Sequence, residues 1–421
     1  MKIIVLGLGY IGLPTAVMFA NHNQEVIGVD INKTVVDDLN QGCTHIEEPG
    51  LSEALRLAIN KNNFRAQMEV EEADAFIVSV PTPNNNDVFK SCNMDYVQQA
   101  VRSIIPVLRQ GNTVIIESTI SPCSTENMIK PLIENAGFAV GKDVFLAHCP
   151  ERVLPGNIFY ELEYNNRIIG GVSEACSHHG AKIYSLFTKG ELVETSASAA
   201  ELSKLMENTY RDVNIALANE LIKTAGVLGI DGLEVVKLAN KHPRVNIHTP
   251  GPGVGGHCLA VDPYFIIASS PDTTPLMQRA REINKSMPDF VLKETKELMR
   301  QIDGKKITVL GITYKGDTDD IRESPALEVL KLLEAENRYQ LTIYDPYIPA
   351  YNDWKEATLD SDLLLILSDH QEFSLLDETR LEYMKQAVIF DTKNILVDSL
   401  KTSNYFNLGN IRTKRYRKEK S

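Results

Sequence analysis

The chain has 421 residues, 43% of them hydrophobic and 24% charged, enough for two or three domains with proper cores and too apolar for a disordered chain. Its formal net charge of −13 argues against broad nucleic-acid binding, although helix termini and single lysines can still hold a small anion. The cysteines (Cys43, Cys92, Cys123, Cys149, Cys176 and Cys258) form no CxxC pair and no cluster with histidine at zinc spacing. That is the usage of a reducing compartment rather than of a disulfide framework or a structural metal site.

The opening "MKIIVLGLGYIGLPTAVMFA" is interrupted by glycines and Pro14, so it reads as strand, turn and helix through about Asn21 rather than as a secretory leader. "EVIGVD" is a second strand, and "DAFIVSV", "TVIIEST", "DVFLAHC", "RIIGG" and "LVETS" continue the alternation with helical stretches. Short apolar strands separated by helices imply a parallel, doubly wound sheet, here assigned to residues 1–196. "SAAELSKLMENTYRDVNIALANELIKTAGVLG" has no proline and exceeds a typical crossover. It suits a connecting helix or a dimer interface and opens a central helical domain, 197–298. Beyond it "KKITVLGIT", "YQLTIYDP", "LLLILSD" and "AVIFDTKN" restart the strand–helix pattern as a second Rossmann-like unit, 299–421. Its first strand lacks GxGxxG, so a second dinucleotide is not expected there. The last residues, "IRTKRYRKEKS", are expected to form a solvated, disordered tail. No segment reaches the ~18 uninterrupted apolar residues of a membrane span, so no transmembrane segment is expected and the protein is placed in the cytoplasm.

Gly7-Leu8-Gly9-Tyr10-Ile11-Gly12 is GxGxxG, and it ends one strand and opens a helix. In such a loop the first glycine permits a tight turn, the second admits the pyrophosphate, and the third lets helix and strand pack closely. Asp30 closes the second strand, where a carboxylate accepts hydrogen bonds from the adenosine ribose and repels a 2′-phosphate. NAD is therefore expected in preference to NADP.

"GPGVGGHCLAVDP" sets Cys258 in a glycine-rich loop, with Asp262 after it. Taken alone, a free cysteine is most often a small buried hydrophobe. Against that, glycines at 251, 253, 255 and 256 expose N–H groups that stabilise a thiolate or an oxyanion. A thiol beside a nicotinamide also suits trapping an aldehyde and oxidising the hemithioacetal to a thioester. On the long helix, Lys204, Asn208 and Arg211 fall at i, i+4 and i+7, which reads either as a solvated polar face or as an electrostatic clamp for an alkoxide.

These residues resemble the UDP-glucose/GDP-mannose dehydrogenase family nearly end to end. The likeness rests on "GLGYIGLP", "SVPTP", "ESTI", "CPERVLPGN", "LSKLMENTYRDVNIALANE", "GPGVGGHCLAVDP" and "GITYKGDTDDIRESPA". It implies NAD-binding, central dimerising and UDP-binding domains, hence a homodimer. It also implies four-electron oxidation of a nucleotide sugar at C6, consuming two NAD. The resemblance makes Cys258 the nucleophile, Lys204 and Asn208 the oxyanion pair, Asp262 and Thr119 the proton-handling and water-positioning groups, and Glu151 the acid/base. It puts NAD against Gly7, Gly9, Tyr10, Ile11, Gly12, Asp30, Pro81, Thr82 and Thr119. It puts the UDP-sugar against Glu151, Arg152, Lys204, Asn208, Arg211, Arg244, Gly255, Lys315 and Arg322, with Arg244 reaching across from a partner subunit.

Two departures stand out. Pro155 replaces a second glutamate common in members acting on glucose or mannose, and Lys393 stands where many members have arginine. The "PERVLPG" and "NTYRDVNIA" forms are most similar to members that oxidise UDP-N-acetyl-D-mannosamine for capsular and related surface polysaccharides. UDP-N-acetylglucosamine or UDP-glucose are the alternatives, and a nucleotide-sensing or assembly protein is the non-enzymatic one.

Overall fold

The structure, a computed structural model, describes residues 1–154, 156–256, 258–396 and 404–414. The chain forms two compact units, Met1–Glu207 with Tyr264–Pro271, and Asn208–Pro263 with Asp272–Ser421.

In the first unit the strands are β1 (Lys2–Leu6), β2 (Glu25–Val29), β3 (Phe64–Gln67), β4 (Ala75–Val78), β5 (Thr113–Ile116), β6 (Phe145–His148), β7 (Arg167–Gly171) and β8 (Leu192–Ser196). They form one sheet in the order β3-β2-β1-β4-β5-β6-β7-β8. Chain order reverses beside β1, so the crevice at its carboxyl end is where a doubly wound sheet accepts a ligand. Every apolar run expected as a strand is one. β3, "FRAQ", is an addition at the sheet edge: Phe64 and Ala66 are buried while Arg65 is exposed, so it has no apolar run to announce it.

The sheet is not wholly parallel, which corrects the expectation. β6 and β7 pair antiparallel, Ala147 with Gly171 and His148 with Gly170. Among the described residues the segment between them carries only the short helix Ile158–Tyr164, and it re-enters from the end where β6 leaves.

In the second unit β9 (Lys306–Leu310), β10 (Gln340–Tyr344), β11 (Leu363–Ile366), β12 (Val388–Asp391) and β13 (Tyr405–Asn407) form a parallel sheet, ordered β10-β9-β11-β12-β13. The repeat extends to individual hydrogen bonds. Gly7 (φ 89°) and Gly311 (φ 78°) each follow a first strand, and their N–H groups donate at 2.8 Å to Val29 and Tyr344 carbonyls. The next amides, Leu8 and Ile312, donate to Asp30 and Asp345 at 3.0 and 2.8 Å. The long helix runs Ala197–Leu228 as expected. Among the described residues no helix is long and apolar enough to cross a membrane.

The start of the basic tail is not disordered. Ile411 N–H donates to the Asn407 carbonyl at 2.9 Å, and Lys414 Nζ donates to the Tyr405 carbonyl at 2.8 Å. Arg412 binds Glu294 through Nε at 2.8 Å and through Nη2, and lies 4.9 Å from the Phe290 ring. Residues 415–421 lie outside the described residues. Glu294 is buried, so losing Arg412 strands a carboxylate in a low-dielectric site. Arg412→Ala should lower stability by about 1–3 kcal/mol in urea or thermal unfolding. Adding Glu294→Leu to Arg412→Met should recover much of that loss, because an apolar pair carries no stranded charge.

Candidate active site

The glycine loop fits a dinucleotide for three separate reasons. A Cβ on Gly7 would sit 2.5 Å from the Ser79 carbonyl oxygen, and one on Gly12 would sit 1.9 Å from that of Gly7. These two glycines are required by the protein's own packing. A Cβ on Gly9 meets nothing within 4 Å, so what needs glycine there comes from outside the protein, as a pyrophosphate does. The following helix, Gly12–Asn21, begins after Ile11 with no side-chain cap; the Leu13 and Thr15 N–H groups donate to the Gly9 and Ile11 carbonyls at 3.1 Å and Pro14 has none, which leaves the Gly12 N–H of the first turn for an anion. Tyr10 is exposed and Ile11 half-buried at this mouth. Asp30 is held at the end of β2 by the N–H groups of Leu8 (3.0 Å) and Asn32 (2.9 Å), with acceptor capacity left for a ribose. Thr82 Oγ1 donates to the Thr119 carbonyl at 2.6 Å, which joins the "SVPTP" loop containing Pro81 to the "ESTI" loop.

Glu151 follows β6 and is ion-paired with Arg167, whose side chain is 5% exposed. The Arg152 guanidinium donates to Glu207 Oε1 and to the Asn166 carbonyl, each at 2.5 Å, so it is engaged within the protein. Lys204 is buried on the long helix. Burial, with a smaller push from the Lys204 charge, drives His148 down to about 3, so this histidine stays neutral. Glu201, just before Lys204, accepts from the Thr125 N–H (2.8 Å) and hydroxyl (2.5 Å) and ties the helix to the segment after Thr119.

In the second unit Cys258 is half-buried, and its carbonyl accepts from the N–H groups of Val261 (3.0 Å) and Asp262 (2.8 Å). One tight turn therefore links the thiol residue to the buried Asp262, which begins the helix Asp262–Ser269. Asn208 Nδ2 donates to Asp262 Oδ2 at 2.6 Å. Cys258, Asp262 and Asn208 are thus brought together, and Asn208 lies one turn beyond Lys204 on the same helix.

Two of the four glycines expected to offer N–H groups are already engaged. Gly256 N–H donates to the Arg322 carbonyl at 3.3 Å, and Gly251 N–H to Asn219 Oδ1 at 3.0 Å, so neither is left for an oxyanion. A Cβ on Gly255 would meet the Glu323 carbonyl oxygen at 2.4 Å, and one on Gly256 the Tyr314 ring at 2.6 Å. The glycines allow the loop to lie flush against "YKGDTDDIRESP". His257 lies outside the described residues, as does Pro155.

Arg211 is exposed, whereas Asp212 is wholly buried and paired with Arg281 at 2.6 Å. The buried polar stripe of the long helix runs from Lys204 past half-buried Asn208 to Asp212 and Asn219, so it is i+8 from Lys204, not i+7, that faces inward. Arg244 is exposed in the turn after the helix Gly232–Ala239, its N–H donating to His242 Nδ1 at 3.3 Å. Lys315 is exposed, and Arg322 chelates Asp320 through Nε (2.9 Å) and Nη2 (2.6 Å). Lys393 pairs with Asp369 at 3.3 Å. Among the described residues, no group of His, Cys, Asp and Glu is arranged to hold a metal.

Sequence reasoning also missed Glu117, Arg167 and Tyr184, a buried polar cluster beneath Glu151. Their only signal is charge in apolar surroundings: the glutamate of "VIIEST" and the arginine of "NRIIGG".

Three models of the UDP-glucose/GDP-mannose dehydrogenase family match in succession: the NAD binding domain over residues 1–188, the central domain over 198–286 and the UDP binding domain over 308–398. A UDP-N-acetyl-D-mannosamine dehydrogenase of Methanococcus maripaludis is 44% identical over 412 residues, covering 95% of this chain and 94% of that relative. The native structure of the UDP-N-acetyl-mannosamine dehydrogenase from Staphylococcus aureus is similar at a TM-score of 0.91 and 52% identity, covering 98% of this chain and 99% of that one. A UDP-D-ManNAc dehydrogenase structure from Pyrococcus horikoshii gives the same TM-score at 40% identity, covering 98% and 100%. The glycine loop, the Cys258 loop and the second Rossmann-like sheet all agree with these matches: the chain belongs to the UDP-glucose/GDP-mannose dehydrogenase family.

Proposed function

We propose that this protein oxidises UDP-N-acetyl-D-mannosamine at C6 to UDP-N-acetyl-D-mannosaminuronate, with a thioester on Cys258, in the supply of a surface polysaccharide. The observation that carries the chemistry is the turn joining Cys258 to Asp262, with Asn208 bonded to Asp262 at 2.6 Å. The choice of sugar is supported by the relatives' identity along nearly the whole chain.

NAD, when bound, supplies the hydride acceptor for each of two oxidations. In the first, the C6 hydroxyl gives its proton to water as hydride leaves carbon, Asp262 and Thr119 being the residues assigned to proton handling and water positioning. The Cys258 thiol then adds to the aldehyde, forming a C–S bond, and its proton goes to the new hydroxyl. Loss of that proton and a second hydride leaves the thioester. Glu151 takes a proton from water, the resulting hydroxide attacks the carbonyl, the C–S bond breaks, and the proton returns to sulfur. Lys204 holds each developing alkoxide by charge. The Asn208 amide has two N–H bonds; Asp262 takes one, and the other serves the oxyanion. Gly255, Lys315 and Arg322 are assigned to the nucleotide end of the substrate, Arg211 to the sugar and Arg244 to the partner subunit's substrate in a homodimer; Arg152 joins them only on releasing Glu207 or the Asn166 carbonyl. The protein acts in the cytoplasm, where its thiol stays reduced.

Two experiments test this reading. With limiting nucleotide sugar, each UDP-N-acetylmannosamine consumed should yield two NADH, and UDP-glucose should be turned over far more slowly. A yield near one overturns the thioester, and efficient use of UDP-glucose overturns the sugar. In Cys258→Ser, turnover should fall by orders of magnitude while NAD affinity, measured by fluorescence titration, stays at its wild-type value. A hydroxyl at neutral pH is a far weaker nucleophile than a thiolate.

A further inference from the structure

Arg167 is the first residue of β7, and the antiparallel register of β6 and β7 decides what it meets. Pairs Ala147–Gly171 and His148–Gly170, extended past the strand end, bring Glu151 opposite Arg167. A parallel β7 would have put Arg167 at the far end of the sheet. As it is, Arg167 lies among the carboxyl ends of β5 and β6. One nitrogen, Nη2, binds Glu151; the other, Nη1, lies 3.4 Å from Glu117 Oε1 and 3.7 Å from Cys149 Sγ. The guanidinium stacks 4.2 Å from the centre of the Tyr184 ring, whose hydroxyl donates to Glu117 at 2.9 Å. Thr15 Oγ1 lies 3.4 Å from the same carboxylate oxygen. Glu117 Oε2 is buried with no partner.

We propose that Arg167 is a positioning residue that fixes the Glu151 carboxylate for its role as acid/base, and that Glu117 and Tyr184 hold Arg167 in place from below. The proposal rests on the assignment of Glu151 made above. One guanidinium serves two carboxyl groups, so the cluster is balanced when one of them carries a proton. Burial pushes Glu117 up to about 7, with Arg167 pulling it down and Glu151 pushing it further up. The other groups facing Arg167 do not compete as anions: burial raises the Cys149 thiol to about 12 and lifts the Tyr184 phenol well above its usual value. Below neutrality Glu117 is uncharged and Arg167 belongs to Glu151. Above it, an ionised Glu117 shares the guanidinium and loosens its hold on Glu151.

The test compares kcat, KM and pH profiles for wild type, Glu151→Gln, Arg167→Lys, the double variant and Glu117→Gln, with circular dichroism and NAD affinity as folding controls. Arg167→Lys keeps the charge but loses the two-pronged fork. It should lower kcat tenfold or more with KM for the UDP-sugar within about twofold, and the double variant should be no slower than Glu151→Gln. Glu117→Gln mimics the protonated acid. Its kcat relative to wild type should therefore rise several-fold from pH 6 to 8.5. A flat ratio, a loss expressed in KM alone, or multiplicative losses in the double variant overturns the positioning role. If Arg167→Lys fails the folding controls, the Glu117→Gln ratio decides alone. Wild-type kcat in Glu151→Gln instead overturns the acid/base assignment beneath it, a separate outcome.

Discussion

The ion pair between Asp212 and Arg281 is the constraint around which the loop bearing Cys258 is built. Both side chains are almost fully buried, and burial raises the Asp212 carboxyl while Arg281 pulls it down. Such a pair is retained only with good geometry and further hydrogen bonds, and removing one member typically costs about 3–5 kcal/mol. Here the further bonds form a chain. Asn284 donates to the Asp212 side chain (2.8 Å) and carbonyl (3.0 Å), Asn219 donates to Asn284 (2.9 Å), and Asn219 accepts from Gly251 (3.0 Å). Arg281 also approaches the Leu259 carbonyl at 3.5 Å. Both ends of the loop bearing Cys258 are therefore referenced to the long helix, which also presents Asn208 to Asp262. Placing a thiol for attack needs sub-ångström precision, and a loop of glycines supplies none of its own.

The two Rossmann-like sheets use one hydrogen-bond plan for different ends. In the first, Asp30 remains accessible after binding Leu8 and Asn32. In the second, Asp345 is wholly buried and its carboxylate also contacts His370 Nε2 at 3.2 Å. His370 in turn accepts from the Asp317 N–H at 2.9 Å and is stacked by Tyr347. The acid left accessible at the end of β2 is matched, in the second sheet, by one that braces the loop after β9.

Much of the fold was legible because parallel strands covered on both faces are continuous apolar runs. The long helix was equally plain, being a proline-free periodic segment. Edge strands carry less signal: β3 alternates with a charge, and β13 has three residues. The site was legible where chemistry is local, as in GxGxxG with Asp30, or Cys258 with Asp262. It was illegible where long-range register decides. Glu151 and Arg167 meet only because β7 runs backwards, and no local pattern marks that reversal. Arg211 and Asp212 show the same limit, since helical spacing alone does not say which of two adjacent residues faces inward. Gly251 and Gly256 look like open donors in the sequence because the groups that accept from them, Asn219 and Arg322, are far away along the chain.

Those glycines bear on how the protein can be recombined. Gly253 lies 2.9 Å, measured from its absent Cβ, from Pro325, with Gly255 against Glu323 and Gly256 against Tyr314. The loop that carries Cys258 and the loop that follows β9 are two halves of one mould, cut without clearance. A chimera that exchanges the C-terminal sheet with that of a relative will inherit a mismatched seam unless residues 251–258 and 314–325 travel together. Changes of nucleotide preference sought in the second segment will be felt at Cys258 through backbone displacement, before any side chain near the sulfur is altered.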